Sequence, residues 1–341
     1  MTLIHVEHLR KTFTRAVRKS GHLSTLRTFL SRERQHIHAV ADVSFQLAAG
    51  EMVGYLGPNG AGKSTTMKML TGILVPSDGH IVVDGRIPHR QRIEHVRRIG
   101  VVFGQRSQLW WDLPTIETFE LLRHIYRIPE ARWQHNLQRF SELLELDVFL
   151  HTPVRQLSLG QRMRADLAAA LLHEPSILFL DEPTIGLDVV AKEHIRQFLS
   201  HINREHGVTV LLTTHDLTDI AYLCPRVILI DHGQVVYDGA LAALRERFGR
   251  WRTLVVDLDL PDGHSLQAEL VLSTHGANVV RSEGRRMWVQ FDREIMTAAD
   301  LMVDIANRYP VRDLTVEEPD IEAMVRGIYQ HGVDQPQPAP T

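Results

Sequence analysis

Short apolar runs and apolar residues at helical spacing divide the chain into elements. Runs at 2–7 and 39–47 predict strands, with Val6, Val40, Val43 and Phe45 facing inward. MVGYL (52–56), RIGVVFG (98–104), ILFLD (177–181) and TVLLTT (209–214) predict buried strands. Helical spacing predicts helices from Lys63 to Leu74, over most of 115–147, and over 160–173 and 189–206. HIVVDG (80–85) is expected to end a hairpin, and RVILIDHGQVVYDG (226–239) to form one that turns at His232-Gly233. Strands that alternate with helices in this way predict an α/β protein built on a parallel sheet.

Two regions break the alternation. RAVRKSGHLSTLRTFLSRERQH (15–36) is basic and carries Leu23, Leu26, Phe29 and Leu30 at helical spacing, which predicts an amphipathic helix inserted between two strands. It reads either as a solvated charged helix or as a contact for anionic lipid headgroups or a membrane subunit. After Arg245–Arg252, TLVVDLDL, LQAELVLSTH, ANVVRSE, RMWVQFD, ADLMVDIANRY and VRDLTVEE predict strand, helix, strand, strand, helix, strand, a split β-α-β order. PDIEAMVRGIY (319–329) predicts a closing helix with Pro319 in its first turn, and the proline-rich end predicts disorder. The expected organisation is a first domain over 1–247, with the insert at 15–36 and a helical subdomain at about 106–170. A small α+β domain over 250–330 and a disordered tail over 331–341 follow.

Composition narrows the classes. A length of 341 residues agrees with two domains, since single cores split beyond about 250–300 residues. A formal charge of -3 gives no reason to expect nucleic acid as a partner. The one cysteine, Cys224, excludes an intramolecular disulfide and a cysteine-based metal cluster. No apolar run approaches the about 18–20 residues that span a bilayer, so the chain is not expected to cross a membrane by itself.

The chemistry begins at GPNGAGKST (57–65), which matches G-x-x-x-x-G-K-[ST] between a predicted strand and a predicted helix. Gly57, Pro58, Asn59, Gly60, Ala61 and Gly62 form a loop whose backbone N–H groups can turn toward phosphate oxygens, and the helix start adds its positive dipole end. Lys63 is placed for the β- and γ-phosphates of ATP, Ser64 for Mg²⁺, and Thr65 for the α-phosphate side. ILFLDEPT (177–184) brings Asp181 out at the carboxyl end of a buried strand as a Mg²⁺ ligand. The adjacent Glu182 points differently and is the candidate to orient or deprotonate an attacking water.

Further features follow in order: Gln105 after RIGVVFG, LSLGQ at 157–161, GLD at 186–188, and His215 after TVLLTT. Together with the two preceding motifs, this series resembles the nucleotide-binding domain of ABC transporters over about residues 1–245. The resemblance implies a P-loop NTPase of ABC type, with a parallel core, an antiparallel β subdomain and a helical subdomain. It implies that Gln105 touches Mg²⁺ and the attacking water, and that His215 holds the γ-phosphate. It implies a head-to-tail homodimer in which Ser158, Gly160 and Gln161 reach the ATP held by the partner's Lys63, with Asp188 in the loop that crosses. Phe13 matches the place of the aromatic that stacks on adenine, where tyrosine is commoner; as a lone residue it reads equally as strand core.

The spelling LSLGQR, the C-terminal α+β appendage and GQRSQLWWDLPTIETF (104–119) resemble ATPase subunits of ABC-2 type exporters, including a group that exports drugs or toxic cations. That implies separately encoded permease subunits and a place at the cytoplasmic face of the membrane. The alternatives are an importer ATPase, or a soluble ABC-type ATPase; a single phosphate loop without sustained heptads argues against the latter. Trp110 and Trp111 read either as a surface for a permease helix or as core. Leu159, where the signature usually has glycine, loses easy access to positive φ but keeps its N–H, so the signature works if its backbone stays where leucine is tolerated.

Overall fold

The computed structural model of the chain describes residues 2–16, 34–104, 106–248, 251–259, 276–317 and 321–331. They fall into two units, 1–239 and 240–341.

The first unit contains β1 (Thr2–Ala16), β2 (Arg34–Ala48), β3 (Met52–Leu56), α1 (Lys63–Leu70), β4 (Asp78–Val83), α2 (Arg92–Val96), β5 (Ile99–Phe103), α3 (Thr115–Tyr126) and α4 (Glu130–Leu144). It continues through α5 (Leu159–Leu171), β6 (Ile177–Asp181), α6 (Val189–His206), β7 (Thr209–Thr213), α7 (Leu217–Leu223), β8 (Arg226–Asp231) and β9 (Gln234–Ala240). Its strands make one sheet in the order β4-β1-β2-β9-β8-β3-β7-β6-β5. From β8 to β5 the neighbours are parallel, whereas β1 pairs antiparallel with β2 and β4. Both faces of the parallel part are covered, so β3 and β7 are buried at every residue and their sequences are unbroken apolar runs with little alternation.

Three elements differ from the sequence reading. Strands β1 and β2 run beyond the predicted 2–7 and 39–47 because they continue to pair with each other past the core, through Thr12↔His38 and Thr14↔His36. These outer residues are polar or exposed and leave no hydrophobic signature. Strand β4 ends no hairpin: the element before it is the helix α1, and β4 pairs with β1, Ile4 opposite Val83. Residues 115–147 are mostly helical, as expected, in two helices that part where Arg127 turns left-handed (φ 55°) just before Pro129. The turn at His232-Gly233 has φ of 46° and 74°, as a two-residue hairpin of this hand requires.

The second unit contains α8 (Leu241–Phe248), β10 (Trp251–Leu258), β11 (Ala277–Glu283), β12 (Arg286–Asp292), α9 (Ala298–Arg308), β13 (Val311–Glu317) and α10 (Ile321–His331). The division at 239/240 thus places α8 with this unit, where the sequence reading drew the limit at 247. The four strands form an antiparallel sheet in the order β11-β12-β10-β13. Leu254, Val256, Met287, Val289 and Phe291 on one face meet Leu301 and Ile305 of α9. The helix predicted for LQAELVLSTH, the insert and the tail lie outside the described residues, apart from the strand residues at the two ends of the insert and His331, which ends α10.

Candidate functional site

In the sheet, β3, β7, β6 and β5 are neighbours, although β7 comes last in sequence. The loops at their carboxyl ends therefore open on one crevice, the place where open parallel sheets carry ligands.

The loop after β3 ends at Gly62, the N-cap of α1, with φ of 104°, where a Cβ would lie 2.5 Å from the Ala39 carbonyl oxygen. Only glycine satisfies both demands. No side chain caps α1, so its first N–H groups, which a helix leaves without internal partners, are not taken by one. Lys63 is 7% exposed, and its Nζ donates to the carbonyls of Gly57 (2.5 Å) and Pro58 (3.1 Å). Burial holds the Lys63 amine below the usual lysine range, against the pull of Glu182 and Asp181. A buried ammonium beside free helix N–H groups is a site for an anion.

Asp181, the last residue of β6, accepts from Thr213 Oγ1 at 2.6 Å and from Ser64 Oγ at 3.4 Å. Ser64 and Asp181 are thus two hard oxygen donors side by side, the pair suited to Mg²⁺. Among the described residues no group of three or more His, Cys, Asp or Glu could hold a metal ion.

Glu182 carries its side chain elsewhere because its backbone is left-handed, with φ of 57°. Its N–H donates to the Thr213 carbonyl, and its carbonyl leaves no room for a Cβ at Gly104, which would lie 2.0 Å away. Glu182 Oε1 stands 2.7 Å from His215 Nε2. Gly104, Arg106, Ser64, Lys68, Asp181 and Glu182 line one pocket in this crevice. Gln105 lies outside the described residues.

Ser158, Gly160 and Gln161 occupy the start of α5. Ser158 Oγ accepts from the Gln161 N–H (3.2 Å), and Gln161 Oε1 accepts from the Ser158 N–H (2.9 Å), a reciprocal capping box. Leu159 is the first residue of the helix and is not among the positive-φ residues, so the position makes no demand that a leucine resists. Its side chain reaches Gly186, in the loop before Asp188. Asp188 caps α6 by accepting from the Ala191 N–H at 2.8 Å. No hydrogen bond or ion pair among the described residues joins this group to the phosphate loop.

The two aromatic sites are not core. Phe13 is 39% exposed in the β1/β2 ribbon, opposite Ile37 and with Lys11 Nζ 5.3 Å from its ring centre. Trp110 and Trp111 are 43% and 53% exposed, and the Arg162 guanidinium lies 5.6 Å over the Trp111 ring. The sequence reading missed Asp166, which is buried in α5 and accepts from Ser107 Oγ and the Gln108 N–H, both at 3.0 Å. Burial pushes its carboxyl up to about 6, against the hydrogen bonds of Gln108 and Ser107. An acidic residue within the apolar stretch of α5 was the available signal; its partners, 58 and 59 residues earlier in sequence, were not readable.

An ABC transporter family profile matches residues 40–185. The chain is 35% identical over 214 residues to the ABC transporter ATP-binding protein NatA of Bacillus subtilis, covering 63% of this chain and 87% of that protein. The linearmycin resistance ATP-binding protein LnrL of the same organism is 32% identical over 210 residues, 62% of this chain and 67% of that one. The methionine import ATP-binding protein MetN of Latilactobacillus sakei is 32% identical over 219 residues, 63% of each chain. Among solved structures, a dimeric ATP-binding cassette in a post-hydrolysis state, bound to ADP and Pi, aligns with a TM-score of 0.58 at 28% identity, covering 70% of this chain and 98% of that one.

Proposed function

We propose that this chain, which belongs to the ABC transporter family of ATP-binding proteins, is the ATP-hydrolysing subunit of an exporter and works as a homodimer on separately encoded permease subunits. The observation that carries the reading is the convergence of Lys63, Ser64, Asp181, Glu182 and His215 from three loops of adjacent strands.

In this reading Gly57, Pro58, Asn59, Gly60, Ala61 and Gly62 wrap the phosphates, and Lys63 exchanges the Gly57 and Pro58 carbonyls for the β- and γ-phosphate oxygens. Thr65 bonds the α-phosphate side, and Phe13, exposed on its ribbon, stacks on adenine. Ser64, Asp181 and Gln105 hold Mg²⁺, which supplies charge neutralisation on the β- and γ-phosphates when bound. Glu182 orients a water and accepts its proton as the water oxygen bonds to the γ-phosphorus. The bond from that phosphorus to the bridging oxygen breaks, leaving ADP and phosphate. In this reading His215, whose Nε2 lies 2.7 Å from Glu182, bonds the γ-phosphate as well.

The second half of each site comes from the other copy. Ser158, Gly160 and Gln161 offer a hydroxyl and helix N–H groups to the γ-phosphate, and Asp188 lines the crossing. Hydrolysis removes the group that both copies share, and the dimer opens. Export is favoured by LSLGQR, by the appended α+β unit and by similarity to a resistance protein, which points to a small drug-like or toxic cationic cargo. Similarity to a methionine import protein supports an importer as the second reading. No helix among the described residues is long and apolar enough to cross a membrane. In this reading the permease holds the chain at the cytoplasmic face of the membrane.

Affinity capture of the full chain from detergent-solubilised membranes is expected to bring down a multi-helix membrane protein. ATP-driven transport by that complex in inside-out vesicles, into the lumen for an exporter, fixes direction; recovery of ribosomes instead contradicts the transport reading.

A further inference from the structure

We propose that Asp219 is a positioning residue that fixes the Glu182–His215 pair, so that turnover depends on a buried carboxylate lying outside the phosphate-binding and hydrolysis motifs. The inference rests on the reading of the crevice given above. Asp219 lies on α7, four residues after His215, and is fully buried. Its Oδ2 accepts from Thr184 Oγ1 at 2.5 Å and, more weakly, from Thr214 Oγ1 at 3.5 Å. Its Oδ1 takes the Arg196 guanidinium through Nε and Nη2, both at 2.6 Å.

The partners decide the meaning. Thr184 follows Glu182 by two residues, and Thr214 directly precedes His215, so one carboxylate ties together the two loops whose side chains meet. The Thr214 hydroxyl also accepts from the Asp216 N–H, and Asp216 is held by Lys192 at 2.6 Å. Lys192 and Arg196 stand one turn apart on α6, the helix that Asp188 caps, so the anchor of both loops is a single helix face.

Stability alone explains such a cluster poorly, because a buried ion pair is often no more stabilising than well-packed apolar residues. Fixed geometry explains it better. Glu182 sits in a left-handed conformation that a non-glycine residue keeps only when its surroundings impose it. Its chain neighbours are gripped at Thr184 and, across the strand end, through the Thr213 carbonyl that accepts from the Glu182 N–H. Loosening Thr184 frees the strained residue to relax and lets its carboxylate leave the histidine.

The test is steady-state ATP hydrolysis by the full chain carrying Thr184→Val, which keeps the side-chain shape and removes the hydroxyl. We expect kcat to fall about tenfold with KM for ATP changed less than about twofold, the size of effect that losing one hydrogen bond to a charged group can have. Thr184→Ser, which keeps the hydroxyl, returns kcat to within about twofold of the native value. Asp219→Asn, which keeps an acceptor but removes the charge, shows the same split between kcat and KM. An unchanged kcat for Thr184→Val, a rise in KM at constant kcat, or a failure of serine to rescue overturns the proposal. Glu182→Gln is measured alongside. Near-native hydrolysis by that variant overturns the reading of the crevice and the clamp with it, whereas its inactivity beside an unaffected Thr184→Val overturns the clamp alone.

Discussion

Two helix starts in this chain carry the polar residues that the proposed mechanism brings to phosphate, and they are built in opposite ways. The start of α1, after Gly62, has no side-chain cap and keeps a buried lysine turned back on its own loop. The start of α5 is closed on itself, with Ser158 and Gln161 satisfying each other's N–H groups. The first is complete as an anion cradle within one chain. The second uses only the acceptor side of its serine, so the Ser158 O–H stays available to donate, in the proposed dimer, to a phosphate held by the other copy. That asymmetry suits a nucleotide that binds one copy first and recruits the second copy afterwards.

Substitutions can break the asymmetry from either side. Lys63→Ala has the largest expected effect: titration with a fluorescent ATP analogue should show affinity about a hundredfold weaker, near 3 kcal/mol, because a charged contact to the phosphates is lost. Ser158→Ala should leave that affinity within about twofold. It should weaken ATP-driven association of two copies about tenfold, besides costing α5 about 1 kcal/mol of capping, as size-exclusion chromatography and denaturant melts would show.

The next effect is on pH. Asp166 ties α5 to residues 107 and 108, and its carboxyl is raised by burial from 3.8 to about 6. The folded chain therefore keeps a proton in the window from about pH 4 to 6 that the unfolded chain has released. Stability from this group falls as pH rises through that window, by about 1 kcal/mol between pH 5 and 6. Asp166→Asn should remove this fall in paired denaturant melts.

Leu159→Gly has the smallest expected effect. The helix start should lose about 0.5–1 kcal/mol, and hydrolysis should change less than about twofold. A large gain in hydrolysis would show that the leucine is a handicap.

What the sequence disclosed follows from how the parts are arranged. The phosphate loop was readable because its residues are contiguous and sit between a buried strand and a helix. Asp181 was readable because four apolar residues push it to a strand end. The Glu182–His215 contact was not, because β7 inserts between β3 and β6, an order that periodicity along the chain does not encode. The outer halves of β1 and β2 escaped notice because they pair with each other away from the core and carry exposed residues such as Phe13, His36 and Ile37. Leu159 would be a handicap only if its position needed positive φ; as the first residue of α5 it does not.

If two copies of this chain close around ATP and part on hydrolysis, a variant that cannot hydrolyse should hold them together. The most direct measurement is the molar mass of Glu182→Gln by light scattering with and without ATP and Mg²⁺. Bound, unhydrolysed ATP and a mass that doubles when nucleotide is added are expected. A protein that binds ATP yet stays at the mass of one chain, or that continues to hydrolyse it at the native rate, contradicts that expectation.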